Sequence, residues 1–195
     1  MHGLINRSLQ CFLRDTYGAN VWAIVARKAE LGFDSFEAML TYDAGLTDAV
    51  INAAAQHLDR PRETVLEDLG TYLVSHPNVE ALRRLLRFGG VDFVDFLHSL
   101  EDLPGRGRMA VPDLDMPKLA LAEIGADKFF LTCHAPVQGG GHVMLGLLRT
   151  MADDYGALVL MDHQWLENGA EGINIHILEQ SFSAGRRFDL AEKAG

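Results

Sequence analysis

The sequence predicts an α+β fold in which a helical first half is followed by an antiparallel sheet with one inserted helix. Apolar residues at helical spacing fill the first hundred positions, whereas strand-like segments begin only after residue 117. A length of 195 residues suits one sizeable core. We therefore expect a single domain at 1–185, helical at about 1–104 and sheet-containing at about 105–180, with a C-terminal tail at 186–195.

The helices of the first half are predicted from apolar stripes and from residues that begin or end helices. The opening stripe includes Ile5 and ends before Gly18, which is a good helix stop. Thr47 and Asn78 are expected to cap helices at 48–58 and 79–88. Further helices are predicted at 22–28, at 61–75, and from Phe93 to a stop near Pro104 and Gly105.

The second half begins with a stretch that has no clear periodicity, residues 104–117, which predicts a loop. Strands are predicted at 118–123 and 129–135, and two more at 157–165 and 172–178 around the turn-prone Asn168-Gly169. A glycine run at 139–141 precedes the inserted helix, predicted at 142–155.

Composition excludes several classes of function. A net charge of −10 argues against binding nucleic acid through its phosphates, which requires clustered Lys and Arg. No window approaches the roughly 18 uninterrupted apolar residues of a membrane span, so we expect a cytoplasmic protein that does not bind membranes. Cys11 and Cys133 lack C-x-x-C spacing and are expected to be small buried hydrophobes.

Five segments of the chain resemble one family. The opening MHGLIN is similar to a family start M-Y-G-L-(V/I)-N, and residues 96–104 (FLHSLEDLP) are similar to F-L-x-N-L-D-x-L-H. Residues 116–119 (MPKL), 133–140 (CHAPVQGG) and 146–148 (GLL) then follow at the spacing of P-P-x-F, Y-x-S-x-R-x-G-L and G-L-L. This order resembles the H-NOX (heme nitric oxide/oxygen binding, or HNOB) domains, and implies an H-NOX-like fold.

The same register places non-ligating residues where the family binds heme. The family's histidine ligand to the heme iron corresponds to Pro104, and its Tyr, Ser and Arg, which hold the heme propionates, correspond to Cys133, Ala135 and Val137. Proline has no lone pair for iron, and a partly desolvated carboxylate pair needs charge-assisted donors. The sequence therefore predicts that heme is not bound by the family's usual ligands. We expect no cofactor.

The resemblance also implies a pocket. Ile5, Leu73, Val143 and Leu147 are the positions expected to line it, although four apolar residues are also typical of ordinary core. Heme remains an alternative if iron ligation has moved. The weak candidate ligand is His98, but helical geometry turns it about 240° away from Pro104, as expected of a surface histidine. Among other histidines, His134 is predicted to face away from Cys133 on its strand.

Other chemical interpretations are weaker. The run at 139–141 lacks the Lys-Ser/Thr of a phosphate loop and is typical of a permissive turn. Asp162-His163 has no paired spacing for acid-base chemistry, and Cys133 and His134 should lie on opposite faces of a strand. We therefore predict that the chain is not an enzyme.

Two hypotheses of different class follow. The first is a bacterial-type sensory domain that signals to a protein such as a histidine kinase or a cyclic-nucleotide enzyme, as the resemblance implies, with its pocket empty or holding an apolar ligand other than heme. The second is a heme-binding sensor of nitric oxide with relocated ligation.

Overall fold

The computed structural model describes residues 1–186, and it has the predicted α+β architecture. The helices are α1 (Gly3–Tyr17), α2 (Ala19–Lys28), α3 (Ala44–Leu58), α4 (Arg62–Ser75), α5 (Glu80–Arg87), α6 (Phe93–Ser99), α7 (Leu103–Ala110) and α8 (Gly140–Tyr155). The strands are β1 (Lys118–Gly125), β2 (Lys128–His134), β3 (Leu158–Trp165) and β4 (Glu171–Glu179). Short 3-10 turns at Pro77–Val79 and Leu100–Asp102 precede α5 and α7. Of the predicted tail, only Arg186 lies within the described residues.

The four strands form one antiparallel sheet in the order β1-β2-β4-β3. Strand β4 therefore lies between β2 and β3, and α8 connects β2 to β3 across the sheet. Alternate residues of β2 and β4 face inward, among them Leu131 and Ile173, which are fully buried. No helix within residues 1–186 is long and apolar enough to cross a bilayer.

Two sequence predictions about helix ends were wrong. Helix α3 begins earlier than expected, because Asp43 caps it by accepting a hydrogen bond from the Gly45 amide. Thr47 lies inside the helix, where its buried hydroxyl donates to Oδ1 of Asn6 at 2.7 Å. Residue 78 is likewise within a 3-10 turn, and the side chain that caps this turn belongs to His76.

The predicted loop at 104–117 contains helix α7. Pro104 lies in the first turn of α7, where a missing amide costs no helical hydrogen bond, so the proline helps to begin this helix. The irregular segment before β1 is consequently short.

Two hydrophobic cores meet at α8. One is built by α1 to α4 around Phe12, Phe36 and neighbouring residues, and the other lies between the sheet, α6 and α8. Helices α4 and α8 touch through their backbones: a Cβ added to Gly70 would lie 2.0 Å from the Val143 carbonyl oxygen, and one added to Gly146 would lie 2.0 Å from the Glu67 carbonyl oxygen. Only glycine allows this approach.

Candidate functional site

The residue predicted to correspond to the family's iron ligand, Pro104, is buried. Pro104 is buried with Leu103 in the first turn of α7. Leu103 belongs to the sheet-side core that also contains Cys133. Farther along α7, a Cβ on Gly107 would lie 3.3 Å from the Met116 side chain, and Met116 lines a surface cleft of about 380 Å³ together with Ala135. Leu103 at the start of α7 and Cys133 on β2 thus belong to the same core.

Cys133 lies on the inner face of the sheet, 1% exposed. Burial, with a smaller contribution from the negative charge of Glu171, raises the pKa of the Cys133 thiol to about 12. A thiol with this pKa is protonated at neutral pH, so it behaves as a small apolar side chain, as the sequence predicted. The alternation of β2 leaves His134 exposed on the opposite side.

Ala135 and Val137 continue past β2 toward α8. Ala135 is half-buried against the sheet-side core. A Cβ added to Gly140 would lie only 2.3 Å from the Cβ of Ala135. Val137 is half-buried against the helical core. Neither side chain carries a hydrogen-bond donor.

The four predicted pocket residues are divided between the two cores. Leu147 is 5% exposed and belongs to the sheet-side core, whereas Leu73 and Val143 are half-buried against the helical core. Ile5 is half-buried on α1. Val143 and Leu147 are one turn apart on α8, as expected for residues on the same face of a helix.

His98 lies at the surface. Its side chain is 48% exposed, its Nε2 is 3.2 Å from Oε1 of Glu123 on β1, and its ring meets the edge of Phe129. The geometry therefore agrees with the prediction of a surface histidine.

A buried polar cluster, which the sequence did not predict, lies elsewhere, at the first turn of α8. Among the described residues, His142, His163 and Glu171 each offer a ligand atom within 4.8 Å of the others. The two imidazole rings are stacked with centroids 3.9 Å apart, and Nε2 of His163 lies 2.7 Å from Oε2 of Glu171. Nδ1 of His142 lies 3.1 Å from Oε1 of Glu67 on α4. We call His142, His163, Glu171 and Glu67 the His–Glu cluster.

Part of this cluster could have been predicted from the alternation of inward and outward residues on β3 and β4. His163 is in phase with Val159 and Met161, which face inward on β3, and Glu171 is in phase with the buried Ile173 on β4. Two ionisable residues on the inner face of a hairpin are unusual, because buried charges need partners. Glu67 and His142, which come from α4 and α8, join the cluster only through tertiary packing, so no local pattern indicates them.

The other chemical motifs have ordinary structural roles. Gly139 adopts a left-handed conformation (φ +83°) at the start of α8, which glycine favours, in agreement with a permissive turn. Asp162 accepts a hydrogen bond from the Asn174 side-chain amide across the β3–β4 pair.

Several solved H-NOX proteins share this fold. The Fe(II) unliganded H-NOX protein from K. algicida is similar to this chain with a TM-score of 0.78 at 17% identity, covering 92% of this chain and 97% of that one. An S. oneidensis H-NOX protein in the Fe(II)NO state has a TM-score of 0.76 at 17% identity, covering 92% and 100%. At such low identity these similarities establish the fold alone.

Curated relatives are much longer proteins. The Caenorhabditis elegans soluble guanylate cyclase gcy-31 is 22% identical over 79% of this chain, and the Drosophila melanogaster soluble guanylate cyclase 89Db is 20% identical over 81%. The matched regions cover 22% and 24% of those proteins, so this chain corresponds to about a quarter of each.

The sequence profile of one domain family covers most of the chain. It is described as Haem-NO-binding (HNOB) and matches residues 2–163, from the first residues of the helical half to His163 on β3. Together with the H-NOX-like fold, this match places the chain in the HNOB family of sensor domains.

Proposed function

We propose that this chain is an H-NOX sensory domain that does not hold heme by the family's ligation, and that it acts through a partner protein or an apolar ligand other than heme. The observation that carries the proposal is the burial of Pro104 beside the core that contains Cys133. In this register, a residue without a lone pair occupies the position of the iron ligand.

The propionate positions support the same conclusion. A heme carries two carboxylates, and burying them in part requires hydrogen-bond donors or cations. Cys133 offers a protonated, buried thiol, and Ala135 and Val137 offer methyl groups. These side chains do not fit a propionate-binding heme.

The absorption spectrum tests the proposal. Protein expressed with a heme precursor should lack a Soret band of stoichiometric intensity. About one equivalent of heme, with a band that disappears in His98→Ala, would contradict the proposal and establish the alternative, a heme sensor of nitric oxide with relocated ligation. One equivalent of heme that survives every single histidine replacement would also contradict it, and would indicate hydrophobic association.

The partner proposed is a signalling enzyme. The curated relatives are named as guanylate cyclases, and this chain matches only about a quarter of their length, as expected for a regulatory module of a larger system. We propose that a cyclic-nucleotide enzyme or a histidine kinase receives the signal. Copurification from the source cell, with an enzymatic assay of the captured protein in the presence and absence of this chain, tests the proposal. A captured kinase or cyclase whose rate does not respond would contradict it.

A further inference from the structure

We propose that the His–Glu cluster is a binding site for one divalent transition-metal ion of the zinc type, coordinated by His142, His163 and Glu171 and supported by Glu67. This site is separate from the positions of heme ligation and does not depend on the fate of heme.

The ligand types and distances suit a small cation. Zinc binds imidazole nitrogen and carboxylate oxygen at about 2.0–2.2 Å, which places tetrahedral ligand atoms about 3.3 Å apart. The three candidate ligand atoms lie within 4.8 Å of one another, and the His163–Glu171 pair is already at 2.7 Å. The two imidazole rings are stacked in the structure, so coordination requires the histidine side chains to rotate until both lone pairs face the ion.

Glu67 orients one ligand. Because Nδ1 of His142 faces Oε1 of Glu67 at 3.1 Å, the proton of a neutral imidazole is favoured on Nδ1, and the lone pair is then on Nε2. Metal-binding histidines commonly donate their second N–H to a carboxylate in this way. Glu67 is held in turn by Arg149, whose Nη1 lies 2.6 Å from its Oε2.

Burial indicates why a cation would be favoured. The side chains of His163 and Glu171 are 8% and 4% exposed, so the carboxylate of Glu171 is removed from water. A buried carboxylate is costly unless a positive charge and hydrogen bonds compensate for it. A divalent ion supplies that charge, and the neutral imidazoles then serve as ligands.

The backbone around the cluster leaves space for the carboxylate. A Cβ on Gly141 would lie 2.6 Å from Oε2 of Glu171, so a side chain at residue 141 would displace the carboxylate from His163. Three protein ligands leave a fourth position for water, which is common for zinc sites. Two imidazoles and one carboxylate favour zinc-type ions over calcium or magnesium, which prefer oxygen ligands.

A tryptophan next to the cluster allows metal binding to be followed by intrinsic fluorescence. The ring of Trp165 meets His163 edge-on at 5.4 Å, and the other tryptophan, Trp22, is buried in the helical core. Metal binding at His163 should therefore change the fluorescence of Trp165.

The test is a titration of the full chain, freed of metal with a chelator, with zinc chloride. Calorimetry should give one zinc per chain, and the fluorescence should change with the same stoichiometry. His163→Gln and Glu171→Gln should each weaken binding at least tenfold, and Glu67→Gln by about 10- to 100-fold. Trp165→Phe should abolish the optical change but keep the calorimetric one, and the exposed His134→Ala is the matched control, with unchanged affinity.

Two results would overturn the proposal. The first is wild-type protein that takes up no zinc, and the second is binding that His163→Gln and Glu171→Gln leave unaltered, which would indicate adventitious surface histidines. If the variants do not fold, as judged by circular dichroism, cobalt(II) added to wild-type protein decides. Intense visible absorption saturating at one equivalent supports a four-coordinate site, whereas only the weak bands of hydrated cobalt would contradict it.

Discussion

The inherited heme positions and the His–Glu cluster lie close together in the chain, but their chemistry is opposite. From Pro104 to Val137, positions that hold ligands and donors in the family carry side chains without charge. At the first turn of α8, by contrast, ionisable side chains come together in a buried environment. Ionisable side chains are thus concentrated at one of these two regions, and we propose loss of heme ligation in the first region and metal binding in the second.

Restoring the lost side chains should produce the largest effect. The quadruple variant Pro104→His, Cys133→Tyr, Ala135→Ser and Val137→Arg supplies an imidazole on α7 and donors along β2 and its continuation. We expect it to bind about one equivalent of heme, where wild type binds little, and to bind nitric oxide in its ferrous form. The absorption spectrum measures both.

The matched control is the triple variant that keeps Pro104. It restores the propionate donors but no iron ligand, and should show weaker and spectrally different heme binding. Pro104→His alone should also bind less, because the propionates would lack partners. A folded quadruple variant without heme would count against an open pocket and against the proposal that these four positions determine whether heme binds.

Filling the proposed pocket gives the next largest effect. Val143 is half-buried, whereas Leu148, five residues later on the same helix, is completely buried. We expect Val143→Trp to lower the free energy of unfolding by less than about 1 kcal/mol, and Leu148→Trp to lower it by about 3 kcal/mol or more, because overpacking a solid core is costly. Urea unfolding of both variants measures the difference. Equal losses would mean that Val143 belongs to packed core.

The smallest effect concerns the thiol of Cys133. Its pKa is about 12 in the folded chain against 9.0 for an ordinary thiol, so between these values the folded state binds more protons than the unfolded state. The contribution of this thiol to the free energy of unfolding is therefore fully present below about pH 9. It decreases as pH rises, by about 1 kcal/mol at pH 10. Cys133→Ala should fall less steeply between pH 8 and pH 10 than wild type, as measured by urea unfolding. Parallel slopes would refute the assignment, and Cys11→Ala is the control.

The fold could be predicted because its signals are local. Apolar periodicity and glycine stops predicted helices and strands within a few residues of α1, α4, β2 and β4. The helix at residues 103–110 was missed because Pro104 was interpreted as a stop, although proline is equally suited to the first turn. The prediction that Thr47 caps α3 was wrong, because Asp43, four residues earlier, caps this helix.

The His–Glu cluster could not be predicted in full because its members come from four elements. Glu67 and His142 are 75 residues apart and meet only where α4 crosses α8. Nothing in the local sequence of α4 distinguishes Glu67 from other acidic residues on a solvated helix face. Only His163 and Glu171 share a local pattern, the inward phase of one hairpin.

The crossing of α4 and α8 has a mechanical consequence. Gly70 and Gly146 bring the two backbones together without intervening side chains, so there is no rotamer change that could absorb a relative shift of the two helices. A displacement of α8 at the sheet would therefore require α4 to move with it, so that the contact between the two helices couples the two hydrophobic cores.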